Sequence, residues 1–275
     1  MSAETQVARA RRFRALHQEE RVLVLPNAWD VISARVFEDA GFPAVGTTSF
    51  GIARAHGLKD GQNAARDCSL ETVRRVAAAL AVPLTADLEA GYGDSAREVE
   101  QAGRAFIEAG AVGFNIEDGQ ASPSEPLTTA SQHCERIAAL RQACGATGVP
   151  AFINARTDVF WLQVGPPQAR LESALRRAEA YLEAGADGIF IPGLSDAAVI
   201  RDAVGAIEAP LNVLAGPRTP PVAVLRELGV KRLSLGSGPM RATLGRLRTI
   251  AAELQGAGTY RFLDDALAYE AANAL

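Results

Sequence analysis

Apolar residues along this chain gather into short runs, separated by longer stretches with a different period. VLVL (22–25), AVGTTS (44–49), PLTADLE (83–89), VGFNIED (112–118), PAFINARTD (150–158), GIFIPG (188–193), LNVLAG (211–216) and RLSLGSG (232–238) read as eight buried strands. Between them, segments such as SAREVEQAGRAFIEAG and ARLESALRRAEAYLEAGAD place apolar residues at i, i+3, i+4 and i+7, which is one face of a helix. Several of these helices finish on a glycine beside a strand start, as in EDAGFPAV, IEAGAVGF, LEAGADGIF and LRELGVKRL, where a left-handed cap residue belongs. Eight βα units with no linker between them predict an α/β fold, a (β/α)8 TIM barrel. A doubly wound sheet is the alternative; it would leave two open edges and would not need eight such even units.

The barrel, with an N-terminal helix, is expected over residues 1–254, and 255–275 as a C-terminal helical extension. The extension contains TYRFLDDALAYEAANAL, apolar on much of its circumference, and such a helix needs a partner surface that another subunit could supply. The Arg-rich start, ARARRFRAL, could pass for an organelle transit segment. Glu4, Glu19 and Glu20 interrupt it and no apolar h-region follows, so a simple surface helix is expected instead.

Composition narrows the function classes. The 275 residues, 48% hydrophobic and 22% charged, suit a soluble globular protein with a large core. A net charge of -4 gives no reason to expect nucleic acid or an anionic membrane as partner. No apolar run approaches the ~20 residues of a membrane span. Cys68, Cys134 and Cys144 form no CxxC pair and suggest a reducing compartment, hence the cytoplasm.

Barrel enzymes keep their chemistry at the carboxyl ends of the strands. There the second run ends in Thr47, Thr48 and Ser49 and its loop carries HGLKDG with Asp60; the third ends in Asp87 and Glu89, two apart and so on one face of a strand. The fourth ends in Glu117 and Asp118, and the fifth in Asn154, Arg156 and Asp158. Any one of these acids could be a helix cap or a solvated loop residue. As a set, carboxylates crowded without a cation would raise one another's pKa values, so a divalent metal is expected. An all-oxygen set suggests Mg2+, with Mn2+ possible, over zinc.

HGLKD, ADLEAGYG, NIED and ARTD, in that order, resemble the isocitrate lyase/phosphoenolpyruvate mutase superfamily over residues 20–250. The resemblance implies a magnesium shell of Asp60, Asp87, Glu89 and Glu117, some acting through water. It also implies a substrate-carboxylate grip at Thr48, Ser49 and Phe50, an active-site arginine at Arg156, and a homotetramer that exchanges its last helices. Asp60 and Arg156 are the residues expected to carry the catalysis, and Asp87, Gly91 and Tyr92 join the substrate-binding set. Gly91 and Gly93 would leave room for close backbone approach, or merely form the turn into the next helix.

The departures restrict the reaction. The isocitrate and methylisocitrate lyases carry a Lys-Lys-Cys-Gly-His loop after the fourth strand, whereas this chain has IEDGQASPSEPLTT. The Lys and Asn of the phosphonate mutases are also missing from Gly119 to Ser124, and a lyase glutamate after the sixth strand is replaced around Gly193. The expectation is therefore a Mg2+-dependent carbon-carbon lyase or decarboxylase, acting on a small 2-oxo or 2-hydroxy (di)carboxylic acid through a metal-stabilised enolate. Oxaloacetate-like acids fit and isocitrate does not. A non-catalytic 2-oxo-acid binder is the alternative from another class. A phosphosugar isomerase, with its phosphate on LAGPRTP and LGSGPMRATL, leaves the acids unexplained. A Schiff-base aldolase lacks its lysine, because the chain has only Lys59 and Lys231.

Overall fold

A computed structural model describes residues 3–120, 122 and 124–275, without the side chains of Ala3, Glu4 and residues 62–65. Ala121 and Pro123, in the loop after the fourth run, lie outside the described residues. The strands are β1 (Leu23–Leu25), β2 (Asn27–Ala28), β3 (Val45–Thr47), β4 (Leu84–Asp87), β5 (Gly113–Glu117), β6 (Phe152–Arg156), β7 (Gly188–Phe190), β8 (Leu211–Leu214) and β9 (Arg232–Ser234). All pair in parallel, in the order β1-β9-β8-β7-β6-β5-β4-β3-β2. The eight expected strands thus appear as nine, because the first run breaks at Pro26.

Proline has no N–H to donate. Before it, Leu23–Leu25 pair with β9; after it, Asn27 and Ala28 pair with β3, and the Pro26 carbonyl still accepts from Gly46 N at 2.8 Å. The ring is completed through this one residue, giving a barrel with helices outside it. The helices run over Val31–Asp39, Ser49–Ala55, Gln62–Ala79, Ala96–Glu108, Ala130–Thr147, Arg170–Glu183, Ala197–Ala206, Val222–Glu227 and Gly238–Gly256. Local chemistry sets their starts: Asp30 with Ser33, Ser95 with Glu98, and Thr129 with Gln132 form reciprocal capping boxes.

The N-terminal helix Ala3–Leu16 is not the simple surface helix expected from its arginines. Ala10, Phe13 and Leu16, spaced by three, form a fully buried face that closes the amino end of the barrel. Phe13 packs edge-on against Phe152 of β6 at 5.9 Å, and a side chain at Gly113 would occupy the space its ring takes. His17 stacks on Phe152 at 3.9 Å, and Arg14 pairs with Asp187 at 2.6 Å. Within the barrel lies a polar layer. Asn154 donates to Asn115 (2.8 Å), Arg232 to Asn115 and Ser234 (both 3.1 Å), and Asn212 to Ser234 (3.0 Å). Arg232 is almost fully buried with neutral partners, and desolvation lowers its pKa to about 9 against the opposing pull of Asp87.

The last barrel helix continues to Gly256, and the segment beyond it forms a 3-10 turn at Arg261–Leu263 and a helix at Tyr269–Ala274. Leu247, Leu263, Leu267 and Tyr269 are exposed along this part of the chain, Tyr269 at 81%. No described helix is long and apolar enough to cross a membrane.

Candidate active site

The strand ends and loops enclose a cavity of about 650 Å3, lined among others by Ser49, Lys59, Asp60, Glu89, Glu117, Gln120, Arg136 and Arg156. Of the residues singled out in the sequence, Ser49, Asp60, Glu89, Glu117 and Arg156 reach this cavity. Thr48, Phe50, Asp87, Gly91 and Tyr92 are not among its lining residues. Neither LAGPRTP nor LGSGPMRATL contributes to it.

The third strand does not deliver its two acids as alternation predicts. β4 ends at Asp87, and Glu89 sits beyond it at φ 50°, in the left-handed region; Gly91 (106°) and Tyr92 (54°) follow. Left-handed backbone is costly for residues with a Cβ, so contacts must hold this turn. Leu88 N donates to Asn115 O, Glu117 N donates to Glu89 O at 2.8 Å, and the Tyr92 hydroxyl donates to Glu89 Oε1 at 3.0 Å. Tyr92 is buried against Phe106 and also lies 3.1 Å from Ser69 Oγ. The Tyr92 hydroxyl holds Glu89 and Gly91 lies within the turn; neither is among the residues that line the cavity.

The expected carboxylate grip is also rearranged. Thr48 caps the helix Ser49–Ala55, its side chain accepting from Gly51 N, and Ser49 N donates to Asp87 Oδ2 at 3.1 Å. The Ser49 amide therefore already serves a protein carboxylate. The Asp87 amide in turn donates to Thr47 Oγ1 at 2.9 Å.

Electrostatics bind these acids into one group. Burial and then Asp87 raise the Asp60 pKa, while Ser49 pulls it back. Burial, followed by Asp87, pushes Glu89 up to about 7 against the Tyr92 hydrogen bond, with Asp60 adding to the rise. Glu117 is raised chiefly by burial; Arg156 opposes this, and Asp158, Asp87 and Glu89 reinforce it. Among the described residues no group of three or more His, Cys, Asp or Glu side chains is arranged to hold a metal ion. The carboxylates repel one another across the cavity without closing on a common point.

Arg156 lies among carboxylates. Its Nη1 is 2.5 Å from Glu117 Oε2, its Nε and Nη2 donate to Asp158, and its guanidinium lies 5.8 Å from the centre of the Phe190 ring. Asp118 points away from the cavity and is wholly buried. It accepts from the Tyr181 hydroxyl at 2.6 Å, from Arg177 at 3.1 Å and from Asp158 N at 2.8 Å. It ties the end of β5, the end of β6 and the helix Arg170–Glu183 together. Sequence reading of the strand ends placed Asp118 with the rim acids, and it missed Arg177, Tyr181 and Arg136 because they sit on outer helices.

A family model for phosphoenolpyruvate phosphomutase matches residues 13–255. A 2-methylisocitrate lyase of Escherichia coli K12 is 30% identical over 207 residues, 72% of this chain and 67% of the lyase. A solved structure from Burkholderia cenocepacia J2315, provisionally described as a lyase or mutase, has a TM-score of 0.91 at 36% identity and covers 98% of this chain and 96% of that one. A phosphonopyruvate hydrolase in complex with oxalate and Mg2+ has a TM-score of 0.82 at 25% identity, covering 94% and 91% of the two chains. The matched barrel, its ordered acidic motifs and these relatives agree: the chain belongs to the isocitrate lyase/phosphoenolpyruvate mutase superfamily.

Proposed function

We propose that this protein is a Mg2+-dependent carbon-carbon lyase or decarboxylase for a small 2-oxo or 2-hydroxy acid carrying one or two carboxylates. The observation that carries this reading is the set of acids lining one cavity, buried Glu89, half-buried Glu117 and more exposed Asp60, each with its pKa raised from the ordinary value by desolvation and by neighbouring carboxylates. Such a set suits a hard cation. With no three acids among the described residues arranged to ligate it directly, the fit is to Mg2+ held by Asp60, Asp87, Glu89 and Glu117 largely through water, since Mg2+ keeps several waters. Bound there, the ion would supply Lewis-acid compensation for charge developing on the substrate's carbonyl oxygen.

The protein's own residues do the rest. Arg156, fixed by Glu117 and Asp158, presents a rigid planar donor to an oxygen-rich substrate. Asp60 lines the cavity, where a carboxylate can hold or release a proton, and desolvation followed by Asp87 raises its pKa. Breaking a bond to C3 leaves an electron pair that delocalises onto the carbonyl oxygen. A proton must then return to C3, and simple decarboxylation needs no acid during cleavage itself, which suits a loop with neither the lyase cysteine nor a lysine.

The test is steady-state kinetics on oxaloacetate beside isocitrate and 2-methylisocitrate with Mg2+, using a coupled assay for pyruvate and an aldehyde trap for glyoxylate. Turnover of the 2-oxo acid with poor turnover of both isocitrates is expected. Efficient glyoxylate release would overturn the loop argument, and tight binding without product would favour a binding protein. For assembly, the exposed apolar residues from Leu247 to Tyr269 support a homotetramer in which residues 255–275 pack on a neighbouring subunit.

A further inference from the structure

Most partly buried guanidinium groups in this fold have a carboxylate, whereas fully buried Arg232 has only neutral partners. Arg14 and Arg141 share Asp187, Arg156 has Glu117 and Asp158, and Arg177 has Asp118. Arg136, in the second turn of the helix Ala130–Thr147, differs. It lines the cavity yet joins none of the ion pairs among the described residues; its Nη1, like those of Arg14 and Arg232, has no hydrogen-bond partner. Desolvation lowers its pKa, opposed only by the field of Asp94. A guanidinium that lines a cavity without an ion-pair partner among the described residues can take one from an anionic ligand.

Its neighbours support the same role. Gln120, from the loop after β5, also lines the cavity and carries an amide donor, while Thr128 beside it is locked by Asp118 O and Arg177. Arg156 spends three of its nitrogens on Glu117 and Asp158, so it is poorly placed to neutralise two substrate carboxylates at once.

We infer that Arg136, with Gln120, forms a subsite for a second acidic group of the ligand, so that the protein prefers 2-oxo dicarboxylates over 2-oxo monocarboxylates. This rests on the proposed function for the 2-oxo part of the ligand only. Gln120 and Arg136 thus select by charge at the far end of the substrate.

Calorimetry with two probes separates the possibilities. Oxalate offers the chelating end alone; 3,3-difluorooxaloacetate adds a distal carboxylate. In Mg2+, Arg136→Met should leave oxalate affinity within about twofold and weaken difluorooxaloacetate at least about tenfold, with Arg136→Lys recovering part of the loss. Equal weakening of both probes, or no weakening of the longer one, overturns the subsite. Should the methionine variant fail to fold, Arg136→Gln carries the same comparison. If the wild-type protein binds oxalate no better in Mg2+ than in EDTA, the metal-dependent reading fails. The subsite is then decided by the difluorooxaloacetate affinities of wild type and variant in EDTA. No binding of either probe overturns both.

Discussion

Arg156 and Asp158, two residues apart at the end of β6, are joined by two hydrogen bonds, Nε to Oδ1 at 2.7 Å and Nη2 to Oδ2 at 3.1 Å. This fork fixes the plane of the guanidinium before any substrate arrives. Arg156→Ala should lower kcat/KM by about 2–5 kcal/mol, the range for removing one member of a buried charged pair. Arg156→Lys should recover only part, because an ammonium cannot reproduce the fork. Steady-state kinetics on oxaloacetate decides this, and full recovery by lysine would show that charge alone suffices.

Gly119 gives that pair its space. A Cβ at Gly119 would collide with the Asp158 carboxylate. Gly119→Ala should therefore displace Asp158, loosen Arg156 and weaken oxalate binding while the barrel stays folded. Calorimetry on the variant, with circular dichroism as the folding check, would count against the coupling if affinity were unchanged.

Asp87 is predicted to matter for the cation more than for the fold. Asparagine at this position keeps an oxygen to accept from Ser49 N but loses the charge. Asp87→Asn should lower Mg2+ affinity and stop turnover with little change in melting temperature. Undiminished Mg2+ binding by calorimetry would remove Asp87 from the site.

Proton linkage gives a further expectation. A carboxyl raised to about 7 in the folded protein, as Glu89 is, contributes stability that is complete below its unfolded pKa and lost as pH rises through about 7. A cation favours the ionised form and reverses that loss, so the Mg2+-induced rise in melting temperature should grow from about pH 6 to about pH 8. Buried His17 and His133 have pKa values lowered to about 3 and about 4, and their stability is lost as pH falls below the unfolded value. Packed away from the cavity, they cancel in the difference between Mg2+ and EDTA. A Mg2+ shift that does not vary with pH would mean that Glu89 does not respond to the ion.

Truncation at Gly258 tests whether the tail packs on a neighbouring subunit. Light scattering should show a smaller oligomer; a particle lighter only by the missing residues would argue against exchange.

The periodicity of the chain revealed the barrel because each strand is short, apolar and flanked by helix-spaced segments. It could not show the short strand Asn27–Ala28, since the apolar run VLVL ends at Leu25 and only the partner strands reveal a second strand beyond Pro26. The acids of the site were visible as residues at strand ends, but their support was not. Glu89 arrives through a left-handed turn rather than strand alternation, and Arg177, Tyr181 and Arg136 come from helices whose registration over the barrel is a tertiary fact. Arg232 looked like one charged residue opening an apolar run, and only barrel closure places it inside.

That closure has a consequence for how the chain acquires its structure. Leu23 pairs in register with Arg232, and Leu25 with Ser234, while Leu23 N donates to Lys231 O, so the seam joins segments separated by most of the chain. During synthesis, the early βα units can pair with their neighbours as they emerge, but β1 must wait with an unpaired edge until β9 has left the ribosome. Contacts of such high sequence separation slow folding. The Pro26 break shortens that waiting edge to three residues, which leaves a passing strand little length on which to add.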